Sequence, residues 1–210
     1  MFRLIVRAFA LLALLSAAAS AQPHVFVDAK LRLHISDAGV FEGIEVTWTY
    51  DDFYSMLLLA DMGLDRDGDG NLEKSETILL DGFDRQWIEG YQGDTYVTRD
   101  GTPEALGAPE GRGTTVENGL ITTTHFRAAS GPADGLVIKA FDPTFYTAYS
   151  LVGPVDTGAL CDAVILPADL DAAYTLVEEL LYATPSSDAE QDYPQVGEAF
   201  ADTVRLTCAS

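Results

Sequence analysis

Basic residues, cysteine and histidine are all scarce in this 210-residue chain. It carries 12 Lys and Arg against 33 Asp and Glu, for a formal charge of −21. A surface that acidic repels nucleic acid and anionic lipid, so no nucleic-acid partner is expected. Three histidines are few for a catalytic transition-metal centre. Catalytic signatures are missing too. There is no Gly-x-Ser-x-Gly, no phosphate loop, no dinucleotide fingerprint and no His-Glu-x-x-His. Carboxylates are so abundant that no pair stands out as the acid and base of a glycosidase. No enzyme activity is predicted.

Long apolar runs are absent beyond residue 21, so nothing there is long enough to cross a bilayer as a helix. Residues 1–21 are different. Arg3 and Arg7 precede an apolar run over 8–18, broken only at Ser16, and Ala19-Ser20-Ala21 supplies small residues for cleavage. This is the pattern of a secretory signal peptide. The mature chain is therefore expected to begin at Gln22, to be periplasmic or secreted, and to make no direct membrane insertion. Taking two arginines from the 12 basic residues leaves 10 against 33 acidic ones, a charge of −23. Hydrophobic content of 48 % argues against disorder. Residues 22–210 are long enough to bury one core. The two cysteines, Cys161 and Cys208, make an even count in an oxidising compartment, which favours a disulfide over a thiolate metal site.

What the chain does have is an acidic loop of twelve residues, 65–76. Asp65, Asp67 and Asp69 stand at positions 1, 3 and 5, Gly70 at position 6, Asn71 at 7, Glu73 at 9 and Glu76 at 12. That spacing places oxygen donors around one Ca2+ ion. Asn71 contributes its backbone carbonyl, Glu73 acts directly or through water, and Glu76 closes the shell bidentately. Leu72 at position 8 is the apolar anchor beneath the loop. The alternative is an ordinary acidic turn. The loop occurs once, whereas calcium sensors pair two, so the ion is expected to be structural.

Periodicity around the loop predicts α+β architecture: one antiparallel sheet with helices on one side and an inserted helix–loop–helix unit at 52–90. Residues 25–35 alternate, with Ala29, Leu31, Leu33 and Ile35 on one face. Residues 41–50 pair with them as a hairpin, with Ile44, Val46, Trp48 and Tyr50 sharing a face. A helix over 53–64 places Phe53, Met56, Leu57, Leu59 and Ala60 at helical spacing, and an exit helix runs over 74–90 with a break near Asp81-Gly82. Residues 101–113 read as loop. Strands follow at 94–99, 118–127, 135–141, 145–152, 159–166 and 202–208. A helix from Pro167 to about residue 183 carries a stripe of Leu170, Ala173, Tyr174, Val177, Leu180 and Leu181. A polar loop follows at 184–194 and a helical turn at 196–200.

Five segments carry a family resemblance: Pro23-His24-Val25-Phe26-Val27-Asp28, Val46-Thr47-Trp48-Thr49-Tyr50-Asp51-Asp52-Phe53-Tyr54-Ser55, the acidic loop, Phe141-Asp142-Pro143-Thr144-Phe145-Tyr146 and Gly197-Glu198-Ala199-Phe200-Ala201. In order and over essentially the whole mature chain they resemble domain of unknown function 1007. These are bacterial periplasmic proteins catalogued as components of an uncharacterised ABC-type transport system, often beside nickel/cobalt-type permeases. The resemblance implies a metal-handling or substrate-binding role with a membrane permease as partner.

The family usually starts its mature chain His-Pro-His, and here Gln22 replaces the first histidine. An amino-terminal copper or nickel chelate is also excluded, because Pro23 has no N–H at the second position. His24 and Asp28, on one face of the first strand, are then the candidate ligands for Ni2+, Co2+ or Zn2+. The alternative for His24 is a hydrogen-bonded strand-end residue. Asp51, Asp52 and Tyr54 form another candidate cluster, with helix capping as its alternative. His34 is expected to be exposed, and His125 joins His24 only if the fold brings them together. Two functions follow. One is a periplasmic calcium-binding accessory of a transition-metal transport system. The other is a calcium-stabilised secreted interaction module with no transition metal.

Overall fold

Strict alternation builds the first hairpin where the sequence predicts it. Strand β1, Val25–Ile35, and strand β2, Val40–Tyr50, pair antiparallel from Val27↔Tyr50 to Leu33↔Ile44. Ala29, Leu31, Leu33, Ile44, Val46, Trp48 and Tyr50 all point inward and are buried. The structure is a computed structural model that describes residues 23–183 and 194–209. The predicted signal peptide, Gln22 and nearly all of the predicted polar loop at 184–194 lie outside those residues.

Two sheets form where one was expected. The remaining elements are helix α1 (Asp52–Met62), helix α2 (Lys74–Leu80), strands β3 (Thr95–Arg99), β4 (Thr102–Pro103), β5 (Glu110–Glu117), β6 (Leu120–Pro132), β7 (Leu136–Ala140), β8 (Thr147–Leu151) and β9 (Cys161–Leu166), helix α3 (Leu170–Ala183), a 3₁₀ turn (Gly197–Phe200) and strand β10 (Thr203–Cys208). The first sheet runs β5-β6-β2-β1-β8 and the second β4-β3-β7-β10-β9. Pairing is antiparallel except for β1 with β8, which is parallel. Leu31, Phe41, Ile44 and Ile121 from the first sheet join Val97, Ile138, Val204 and Leu206 from the second in one core cluster. Opposed inner faces give both sheets a dry side without helices covering them.

Residues 101–113, expected as loop, supply β4 and the start of β5. The Asn118-Gly119 turn is what makes β5 a strand. With φ of 54° and 78° it is a two-residue hairpin turn, and it pairs β5 with β6 from Glu117↔Leu120 onward.

The helices are less buried than their periodicity suggested. In α1 only Ser55 and Leu59 are buried, while Phe53, Met56 and Leu57 are at least half exposed and Ala60 is exposed. The cause is a narrow contact: Ser55 Oγ accepts from the Ile121 N–H at 3.1 Å, so the small residue sits against β6 and the large ones face out. The exit helix stops at Leu80, because Asp81 is extended and Gly82 has φ 86°. Ile78, Leu79 and Ile88 are exposed and Leu80 is fully buried. In α3, Ala173 and Val177 are buried, whereas Leu170 and Tyr174 are more than half exposed.

Cys161 and Cys208 face each other across β9 and β10 and form a disulfide that closes a span of 47 residues. On the chain-entropy account it stabilises by about 4 kcal/mol. The double variant Cys161→Ser/Cys208→Ser is expected to lose about 2–4 kcal/mol in urea denaturation, and reduced wild type should match it. Equal midpoints for oxidised and reduced protein would show that the second sheet holds its edge without the bridge.

Candidate functional site

The acidic loop begins where α1 is stopped. Gly63 adopts the left-handed conformation and caps the helix, returning its N–H to the carbonyls of Leu59 and Ala60. The chain then coils through Asp65, Gly68 and Gly70, all at positive φ. Gly70 is required for a second reason. A Cβ there would stand 3.0 Å from the Gly119 nitrogen, because the β5–β6 turn packs on the loop and donates the Gly119 N–H to the Gly70 carbonyl at 2.7 Å. Leu72 is half-buried against the core, as an anchor should be.

Backbone donors hold the carboxylates in place. The Gly70 N–H lies 3.3 Å from both oxygens of Asp65, and the Asn71 N–H donates to Asp69 Oδ1 at 2.7 Å. The Asn71 side-chain amide donates to the Asp69 carbonyl at 3.1 Å. Ligand oxygens of Asp65, Asp67 and Asp69 lie within 4.8 Å of one another. Among the described residues no other three His, Cys, Asp or Glu side chains converge so closely. Glu73 and Glu76 stand outside that group, at the start of α2, where the Glu73 N–H donates to Glu76 Oε2 at 3.1 Å. An all-oxygen donor set fits a hard cation such as Ca2+ rather than a thiophilic or imidazole-seeking one.

His24, just before β1, and Asp28, within it, are both exposed, and four residues of extended chain span roughly 13 Å. The His24 N–H donates to the Tyr146 carbonyl at 2.8 Å, and its ring stacks on Tyr146 with centroids 4.9 Å apart. His125 points inward from β6 opposite Val46, which pairs with Leu31, seven positions along β1 from His24. It therefore cannot reach His24. His34 is half-buried, edge-on to Phe126, rather than exposed. Asp51 caps α1: Oδ1 accepts from the Tyr54 N–H at 2.8 Å, and Oδ2 from the Phe26 N–H at 2.7 Å. Asp52 Oδ1 accepts from the Phe53 N–H at 2.9 Å. Those two carboxylates are engaged in structure.

Sequence reasoning missed a buried polar group beside Trp48. Asp94 is 5 % exposed. Burial pushes its carboxyl up to about 6, against hydrogen bonding from Tyr91 and Tyr149 and with help from Asp142. The Tyr149 hydroxyl donates to Asp94 Oδ2 at 2.8 Å, and burial with the nearby carboxylate drives the phenols of Tyr149 and Tyr91 well up, so both stay protonated. His125, 1 % exposed, sits edge-on to Trp48 and Trp87, and neither ring nitrogen has a hydrogen-bond partner. Burial, then Arg127 and Arg85, lower it to about 4. Arg127 is buried under Trp87 and donates to the carbonyls of Gly107 and Gln92. The sequence signal was the inward face shared by Trp48 and Tyr50, which read as ordinary core.

These shifts have opposite consequences for stability. His125 is depressed, so its contribution is full above pH 6.5 and is lost as pH falls toward 4, by up to about 3 kcal/mol. Asp94 is raised, so its contribution is full below about pH 4 and is lost as pH rises through 6. Comparing wild type with His125→Gln isolates the first. The variant's urea stability is expected to fall less between pH 7 and pH 4.5 than that of wild type, by about 2–3 kcal/mol. Parallel pH profiles would show that His125 does not titrate this way.

Comparison with known proteins adds the family. Residues 7–208 match the family described as Protein of unknown function (DUF1007). No curated protein matches the chain. Among solved structures it is similar to acetylcholine-binding protein type 1 of Biomphalaria glabrata, with 14 % identity, 93 % of this chain and 89 % of that chain covered, and a TM-score of 0.35. That score is too low to carry an argument about fold or ligand. The family match covers nearly the full length, and this chain belongs to the DUF1007 family.

Proposed function

We propose that this is an exported binding or accessory protein whose loop at 65–76 takes up a structural Ca2+ ion. The observation that carries the reading is the convergence of Asp65, Asp67 and Asp69 on one point while the Gly70 N–H holds Asp65. Three carboxylates gathered this way repel one another, and a divalent cation relieves the repulsion. Asn71, Glu73 and Glu76 complete the donor set from the rest of the loop and the first turn of α2. Export is supported by the disulfide. Among the described residues no helix is long and apolar enough to cross a membrane.

The transition-metal reading, with a permease as partner and Ni2+, Co2+ or Zn2+ as cargo, draws its support from the family resemblance. At residue level it rests on His24 and Asp28, and neither belongs to a group of three converging ligand side chains among the described residues. A stoichiometric d-block ion lost on His24→Ala, measured by calorimetry, would restore it.

Sites of this kind outside the cell bind with Kd of roughly 10⁻⁴–10⁻³ M. Calcium at about a hundred times Kd adds about 2.7 kcal/mol to folding stability, equivalent to a melting-temperature rise of roughly 5–10 °C in a chain of this size. Glu76→Gln is the discriminating variant, because glutamine can keep the hydrogen bond to the Glu73 N–H while losing the charge. It is expected to melt near the wild-type apo temperature and to respond little to calcium. A wild-type melting temperature that ignores millimolar calcium would contradict the proposal.

A further inference from the structure

A cavity of about 240 Å³ lies beside the first sheet, walled by Trp48, Tyr50, Tyr54 and Tyr149, with Asp84 and Asp94 among its lining residues. Tyr146 and Tyr91, both more exposed, stand at its rim. We propose that this cavity is a binding site for a small organic cation, an ammonium or quaternary ammonium ion, seated among the aromatic rings against Asp94 and Asp84.

Charge selects the ligand first. The lining contains two carboxylates and no Lys, Arg or His, so an anion is rejected. The whole chain carries −21, which draws cations toward it. Unpartnered polar atoms point the same way. Oδ1 of Asp84 and Oδ1 of Asp94 are buried without a hydrogen bond of ordinary geometry, although the Tyr91 hydroxyl stands close enough to Asp94 to favour its charged form. A ligand with neither a positive charge nor a donor would leave these two oxygens unpaired, which is costly in a buried site.

The walls then decide which cation. A hard metal ion needs several convergent oxygens, and Asp84 and Asp94 belong to no such group among the described residues. Aromatic rings instead favour a large, weakly hydrated cation through their negative faces. The hydroxyls are already committed in ways that suit this. Tyr149 donates to Asp94, and Tyr50 reaches Asp84 Oδ2 at 3.5 Å. They hold the carboxylates in place while the rings form the walls. The volume lies below the roughly 300–1,000 Å³ typical of pockets for drug-sized molecules, so the ligand is small. The inference does not depend on calcium in the acidic loop.

The test titrates the mature chain, in saturating calcium, with choline, ethanolamine and 3,3-dimethylbutan-1-ol, the uncharged isostere of choline, by calorimetry and tryptophan fluorescence. Either ammonium is expected to bind at least about tenfold tighter than the alcohol. Asp94→Asn should abolish that preference. Tyr146→Ala, at the exposed rim where folding is not at stake, should weaken the ammonium by about threefold or more. Equal binding of alcohol and ammonium, no binding of any of the three up to about 10 mM, or a preference that survives Asp94→Asn would overturn the proposal. The melting temperature of the same protein with calcium and with chelator, measured without the amines, reports the acidic loop separately.

Discussion

The Gly119 N–H donates to the Gly70 carbonyl at 2.7 Å, and through this bond the acidic loop is docked on the β5–β6 hairpin. Both partners are shaped for the contact. Asn118 and Gly119 take left-handed conformations that few residues accept, and Gly70 has no side chain to keep the turn away. A lone acidic loop has no second loop to lean on, and here the hairpin turn supplies the missing support. From this anchor α2 leads to Phe83 and Asp84, which line the aromatic cavity. The stretch that follows the loop and α2 therefore supplies two of the residues that line the cavity.

The interior around Trp48 works against stability, and its cost is visible in the titration shifts. An aspartate held near pH 6, a histidine held near 4 and an arginine buried over an indole all give up solvation. An apolar replacement for each would have been simpler to fold. Groups with such shifts, beside a cavity, mark candidate functional positions. The apolar hairpin β1–β2 and the Cys161–Cys208 bridge are the counterweight that lets the fold carry them.

Much of this was legible in the sequence. Alternation in β1 and β2 revealed the strands and their inner faces residue by residue, because period two is hard to mimic by chance. The spacing of Asp65, Asp67, Asp69 and Gly70 announced a convergent carboxylate group, since it is set by local backbone geometry. Capping by Asp51 or Asp52 follows from their place before a helix, and the structure gives the role to Asp51. Asn118-Gly119 is the local cue to the hairpin, and without it the Gly- and Pro-rich residues at 101–113 read as loop although Glu110 to Gly113 begin β5. The second sheet was not legible, because pairing of β3 with β7 and of β10 with β9 depends on long-range registry that no local pattern encodes. Helix faces misled for a related reason: α1 touches β6 through Ser55, a residue that hydrophobic periodicity discounts. The cavity residues come from β1, β2, α1, the stretch after α2, the approach to β3 and β8, and no segment alone hints that Asp94 meets Tyr149.

The calcium ion proposed for the acidic loop would act on the β sheet through the contact with the hairpin turn. Hydrogen exchange at the Gly119 amide tests this most directly, measured with calcium and with chelator under conditions where the protein stays folded. Calcium is expected to slow exchange at Gly119 by about tenfold or more, while amides in the β9–β10 pair change little. Identical Gly119 exchange in the two conditions would contradict it.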